Sequence, residues 1–248
     1  MIRYQIQHIT IPAGNGQVTE QTIELYRDMA SVTGITIQPV DETENQLGQI
    51  EVADSVKPLI DAVPLHYWKT PYMFWVPVHT AAAGANLYIK KYADSITRDV
   101  NLLLTLMLRD KTKEPAKPFR YFYKRVEVSQ MLTGGIWQSN LINIPTEYTY
   151  ISGIWVTIRA RKGNSVATLM KPVPLTLALY DITGMIRLDS VPVDLLYRDG
   201  AGYNHNRRFY PVNIKAGQSI KLELHAIKTT PDVYMDVIFL LSNDKIKL

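Results

Sequence analysis

The chain has 248 residues, 46% hydrophobic and 20% charged, which supports a packed core and excludes a disordered chain. It contains no cysteine, so disulfides, thiolate metal sites and a cysteine nucleophile are excluded. The net charge of +4 is unevenly spread, at −2 over residues 1–113 and +6 over residues 114–248. Such an imbalance steers a molecule towards an anionic surface or pairs copies of it, against the plainer role of a solvated basic face.

The opening MIRYQIQHITIPAG alternates apolar and polar residues and lacks the unbroken apolar run of a signal peptide, so none is expected. Arg3–Ile11, Thr33–Val40, Leu87–Tyr92 and Val100–Leu108 read as strands, rich in β-branched and alternating apolar residues. Gln21–Met29 and Ser55–Ala62 carry weak helical signals of one or two turns each. The densest apolar run, NLLLTLML from Asn101 to Leu108, falls far short of the roughly 20 residues a spanning helix needs. KTKEPAKPF, Lys111–Phe119, is charged, holds two prolines and reads as a linker.

Strand signals resume at Tyr121–Val128, Ile154–Arg161, Leu175–Tyr180, Ile220–Leu224 and Val233–Leu241. Ile154, Val156 and Ile158 alternate with Trp155, Thr157 and Arg159, the period of two that a half-buried strand requires. The two halves also echo one another in order. TGITIQ at Thr33 resembles SGIWVTIR at Ser152, an offset of 119, and GNGQ at Gly14 sits near GGIWQ at Gly134. Asp61, Val63 and Pro64 of DAVPLHYW match Asp189, Val191 and Pro192 of DSVPVDLLY, an offset of 128. Pro77-Val78 and Ala83-Gly84 fall on Pro211-Val212 and Ala216-Gly217, and Asp99-Val100 on Asp232-Val233, at offsets of 133 or 134.

The offset grows and never reverses, as two copies with insertions in the second would give. Arg159–Pro172 and Arg198–Arg208 are the expected inserted surface loops. The expected fold is therefore all-β, two tandem jelly-roll or β-sandwich domains related by internal duplication. Residues 1–113 form the first and 114–248 the second, with the linker at about 111–119.

Catalytic signals are few. His8, His66, His79, His205 and His225 show no H-x-H or HExxH spacing, which disfavours the metal site of a cupin enzyme. His8, in an alternating strand, reads as structural. No GxSxG, GxxxxGK[ST] or strand–GxGxxG–helix pattern is present, GAGYNH at Gly200 reads as a surface loop, and carboxylates are too scattered to pair. No enzyme activity, cofactor or metal is expected.

Two clusters remain. HYWKTPYMFW holds Tyr67, Trp68, Tyr72, Phe74 and Trp75, for which core packing, subunit contact and a ligand platform stay open. NHNRRFY holds Arg207 and Arg208 beside aromatic residues, suited to phosphate or nucleic-acid contact. Two arginines are a thin footprint, so a surface loop or intersubunit salt bridge is favoured and no specific nucleic-acid recognition is expected.

The paired segments Asp61–Val63–Pro64 with Asp189–Val191–Pro192, and the Pro-Val…Ala-Gly pairs at Pro77 and Pro211, give the whole chain an architectural resemblance. It resembles the double jelly-roll major capsid proteins of membrane-containing bacteriophages and related viruses. The resemblance implies a homotrimer whose six jelly rolls form a pseudo-hexameric tile of an icosahedral shell, with strands upright to the capsid surface. Neighbouring trimers, other capsid proteins such as a penton, and an internal lipid membrane or genome are the implied partners. The basic second half is the candidate for that inner contact, and the implied location is the virion, after synthesis in the host cytoplasm. Alternatives from other classes are a phage tail, baseplate or head-decoration sandwich binding a receptor or carbohydrate, and an enzyme on a double sandwich. The first would use Tyr67–Trp75 or Arg198–Arg208.

Overall fold

The computed structural model describes residues 1–41, 47–68, 75–110, 120–128, 135–162, 165–169, 174–196, 209–215, 219–230 and 232–243. The described residues form two compact units, Met1–Tyr121 and those from Phe122 onwards. In chain order the elements of the first half are β1 (Ile2–Ile11), β2 (Gln17–Glu24), β3 (Ser31–Pro39), β4 (Leu47–Ala53), β5 (Pro58–Pro64), the four-residue α1 (Leu65–Trp68), β6 (Val76–Ala81), β7 (Asn86–Ser95) and β8 (Val100–Arg109). The second half holds β9 (Arg120–Val128), β10 (Ile136–Gln138), β11 (Tyr150–Lys162), β12 (Ser165–Leu169), β13 (Leu175–Asp181), β14 (Ile186–Pro192), α2 (Val193–Leu196), β15 (Tyr210–Lys215), β16 (Ile220–Ala226) and β17 (Val233–Ser242).

The first half makes two four-stranded sheets, β1-β8-β3-β6 and β2-β7-β4-β5. The second repeats both orders strand for strand. In it β9-β17-β11 continues into β15, and β10-β16-β13-β14 forms the other sheet. Apart from the β4–β5, β11–β12 and β13–β14 hairpins, successive strands cross between sheets, so each unit is a jelly roll and the chain is two in tandem. The core of each lies between its sheets. In β8, Val100, Leu102, Leu104, Leu106 and Leu108 are buried there, while Asn101 is exposed and Leu103, Thr105 and Met107 are half-buried on the other face.

A shared irregularity ties the copies together at residue level. Val32 pairs with Leu108 and Gly34 with Met107, which leaves Thr33 as an extra residue in β3. Ile151 pairs with Leu241 and Gly153 with Leu240, which leaves Ser152 as an extra residue in β11. On the other edge Val32 faces Thr80 and Gly34 faces Pro77, just as Ile151 faces Ile214 and Gly153 faces Pro211. Both extra residues return a hydroxyl to the sheet. Thr33 Oγ1 donates to the Met107 carbonyl at 3.4 Å, and Ser152 Oγ lies 2.6 Å from Ser242 Oγ. These bulges sit at the offsets of 119, 133 and 134 that the sequence echo gives.

Three expectations are corrected. Gln21–Glu24 belong to β2, whose Thr19, Gln21 and Ile23 turn inward and whose Val18, Glu20 and Thr22 turn outward, a period of two that a helix would scramble. Ser55–Ala62 is a turn followed by β5. Asp54 Oδ1 accepts the Val56 and Lys57 amides at 2.8 Å, and Pro58 then pairs with Ala53. Arg159–Pro172 is largely a hairpin and not a loop, since β11 runs on to Lys162 and β12 pairs back from Ser165. Arg198–Arg208 lies outside the described residues.

Gly48 is a packing constraint. A Cβ there would meet Ile96 Cδ1 at 2.6 Å, Leu65 Cδ1 at 2.9 Å and the Tyr92 carbonyl oxygen at 3.1 Å. Gly48→Ala is expected to destabilise by about 1–3 kcal/mol in urea unfolding through overpacking. Gly135→Ala, with nothing within 4 Å of its Cβ, is expected to stabilise by about 0.4–1 kcal/mol. Equal midpoints for the two variants would refute this contrast.

Candidate functional site

No group of three or more His, Asp or Glu side chains among the described residues is placed to hold a metal ion. No described helix is long and apolar enough to cross a membrane. What the described surface offers is apolar side chains on regular elements, together with charged groups that fix their geometry.

The first such surface is the outer face of β1. Its register with β8 sets Tyr4 opposite Met107, Ile6 opposite Thr105 and His8 opposite Leu103. Ile2, Tyr4 and Ile6 are all exposed, Ile6 to 57%, while Gln5 between them is only 3% exposed. The inward side chains at this end are anchored by polar contacts. Gln5 Nε2 donates to the Glu24 carbonyl at 2.8 Å, and Arg3 pairs with Asp28. The far end of the strand is conventional, with Ile9 and Ile11 buried and His8 and Thr10 exposed. Trp75 is half-buried and its ring centroid lies 5.7 Å from that of Tyr4, which extends the apolar face.

The second surface is the β13–β14 hairpin and the α2 that follows it. Asp181 organises the turn. Its Oδ1 accepts the Thr183 amide at 2.8 Å, the Thr183 hydroxyl at 2.6 Å and the Met185 amide at 3.0 Å. Its Oδ2 accepts Arg187 Nε at 3.0 Å and Nη2 at 2.6 Å. Gly184 completes the turn at φ 79°, a conformation that costs glycine little. The Thr183 hydroxyl, then the Met185 amide and Arg187, hold the Asp181 carboxyl down at about 2 against the opposing pull of burial. The turn displays Ile182, Met185 and Ile186 to solvent, and Leu195 of α2 is 55% exposed.

The aromatic cluster predicted from sequence divides. Tyr67 is fully buried, its ring edge-on to Trp68 at 5.5 Å and to Tyr121 at 5.9 Å, and Trp68 is buried beside it. In these two residues α1 packs inward, so a single chain has neither ring on its surface. Trp75 joins the β1 face instead. Tyr72, Phe74, Arg207 and Arg208 lie outside the described residues.

The outer face of the β9-β17-β11 sheet holds a further polar group. Asp236, fully buried on β17, accepts the Tyr123 hydroxyl at 2.6 Å and Arg125 Nε at 2.9 Å. Ile238 and Leu240 beside it are buried too, as are Trp155, Thr157 and Arg159 of β11. Sequence reasoning missed the β1 face and the hairpin tip. Both were signalled, the first by apolar residues at the even positions Ile2, Tyr4 and Ile6 where the odd Ile9 and Ile11 mark the core.

The strand orders define a double jelly roll, the fold of the major capsid proteins of two membrane-containing viruses. One is the major capsid protein of Sulfolobus Turreted Icosahedral Virus, with a TM-score of 0.52 and 10% identity over 99% of this chain and 98% of that one. The other is the major capsid protein P2 of bacteriophage PM2, with a TM-score of 0.53 and 8% identity over 98% of this chain and 97% of that one. No family model matches the chain, and no curated protein matches it significantly. The likeness is one of fold, spread over the whole of both chains.

Two measurements test this surface. Tyr67→Ala is expected to cost about 3–5 kcal/mol in urea unfolding, whereas Leu195→Ala in the single chain stays within about 0.5 kcal/mol. Comparable losses for the two would contradict their assigned burial. Asp181 is more acidic folded than unfolded, so its contribution to stability is complete above its ordinary value of 3.8 and is lost as pH falls towards about 2. Asp181→Asn is expected to flatten the stability profile across that interval, and a profile parallel to the parent's would refute the assignment.

Proposed function

We propose that this protein is a major capsid protein, the repeating tile of an icosahedral viral shell. The observation that carries the reading is the pair of matching jelly rolls in one chain, aligned over nearly the whole of both chains with two shell proteins. A ring of three such chains presents six similar units, so one gene product fills a six-cornered lattice position while the two units differ in detail. Homotrimers are accordingly the proposed building block, packed against neighbouring trimers, with a separate penton protein at the five-fold vertices. The charge distribution favours the basic second half, net +6 over residues 114–248, for the face turned to an internal membrane or the genome. Trp75, beside Tyr4, is the member of the predicted aromatic cluster best placed for subunit contact, and Arg207 and Arg208 are proposed for the inner contact.

The first experiment is light scattering of the purified protein followed by electron microscopy of the same fraction. A species of about 85 kDa, three times 28.2 kDa, with a six-lobed outline is the expected result. A protein that stays monomeric at every concentration, or that forms rings without six lobes, would overturn the shell reading.

A further inference from the structure

The two jelly rolls bury different members of equivalent pairs. The offset of 128 that relates Pro64 to Pro192 carries α1 onto α2, with Leu65 on Val193, Tyr67 on Leu195 and Trp68 on Leu196. Leu65, Val193, Trp68 and Leu196 are all buried. The third position differs most, since Tyr67 is fully buried and Leu195 is largely exposed, while at the second His66 is half-buried and Asp194 exposed. The preceding strands differ in the same sense. Leu59, Ile60 and Val63 of β5 are buried, whereas their counterparts Arg187, Leu188 and Val191 of β14 are exposed or half-buried.

The first strand of each jelly roll shows the reverse. Tyr4 stands seven residues before Ile11, the end of β1, and Tyr121 stands seven before Val128, the end of β9. Both are on the outer faces of their sheets, yet Tyr121 is buried and Tyr4 is 56% exposed. Tyr67 and Tyr121, the two buried members, are in edge-on contact at 5.9 Å. The duplication therefore supplies the same contact twice, and the second set, Leu195 with Tyr4, is left open in the single chain.

We propose that this second set closes between copies: Leu195 on α2 of one chain packs against Tyr4 and Ile6 on the outer face of β1 of the next. The β1 face suits an apolar partner because its binary pattern is inverted, with Gln5 inside and Ile6 outside, at a cost that burial in an interface recovers. Each chain carries one α2 surface and one β1 surface, so the contact is heterologous and runs head to tail. It joins the more acidic half of one chain to the basic half of its neighbour, −2 over residues 1–113 against +6 over residues 114–248. The inference rests on the shell reading and names the surfaces by which the ring is joined.

The absence of cysteine makes the test direct. Tyr4→Cys and Leu195→Cys each introduce a single thiol at an exposed position. The two variants, co-assembled and treated with a short bis-maleimide, are expected to give a linked pair of about 56 kDa, twice 28.2 kDa, which neither variant gives alone. Leu195→Glu is expected to weaken self-association roughly tenfold or more while leaving the unfolding midpoint unchanged. A protein that assembles by light scattering but yields no mixed product, or that links Tyr4→Cys to itself, would overturn these surfaces and leave the shell reading standing. A protein that never assembles would overturn both.

Discussion

Alternate residues of a strand face opposite sides of a sheet, so one extra residue exchanges every side chain beyond it between core and exterior. In β3 the buried apolar residues are Val32, Ile35 and Ile37, spaced by three and then by two. In β11 the residues of the core cluster are Ile151, Ile154, Val156 and Ile158, with the same break in phase. Without Thr33 and Ser152 the isoleucines and valines on the two sides of the bulge in each central strand would face opposite sides of the sheet. Both strands are bonded on two sides, so the dislocation is shared by β6 and β8 in one copy and by β15 and β17 in the other. Core packing in each unit depends on that single shared offset, which accounts for its survival where most side chains have diverged.

Long strands with one clean apolar face were legible in the amino-acid order, as was the duplication. Val100–Leu108 and Ile154–Arg161 are strands because alternation and β-branching agree there. The Pro-Val pairs at Pro77 and Pro211 marked real equivalence because they sit opposite Gly34 and Gly153, the glycines that follow the bulges, where sheet geometry tolerates little change. Elements lacking a clean face were misread. Thr19 and Gln21 of β2 face the interior, so hydrophobicity gave no alternation to detect, and one or two helical turns were expected over Gln21–Met29. In β1 the alternation exists but changes phase between Ile6 and Ile9 without a bulge, which a reading for core residues alone cannot interpret. The four-residue helices after β5 and β14 are too short to carry a period of 3.6, and only the echo around Pro64 and Pro192 marked their place.

The candidate surfaces were harder to find than the fold for a related reason. Clustered aromatics in sequence suggested a contact site, yet Tyr67 and Trp68 pack inward while Leu195, in the matching helix, faces solvent. Divergence reaches the interiors as well. Lys91 pairs with Ile50 as Leu224 pairs with Leu177, so a lysine occupies in one jelly roll the place of a fully buried leucine in the other. Burial lowers the pKa of that ammonium from its ordinary value. One topology therefore tolerates unlike interiors, provided that the strand registers are kept.

The pairing of first with last strand has a consequence for synthesis. β1 pairs with β8 along its whole length, from Ile2 opposite Arg109 to Ile11 opposite Val100, and β9 is the sheet neighbour of β17. Neither jelly roll completes its sheet until its own final strand has left the ribosome, and contacts so distant along the chain form slowly. Because β8 ends at Arg109, the first unit has all its strands while the second is still being made. The nascent chain thus never has more than about one jelly roll of unpaired strand edges open to misassociation, and the duplication lengthens the finished chain without lengthening that vulnerable interval.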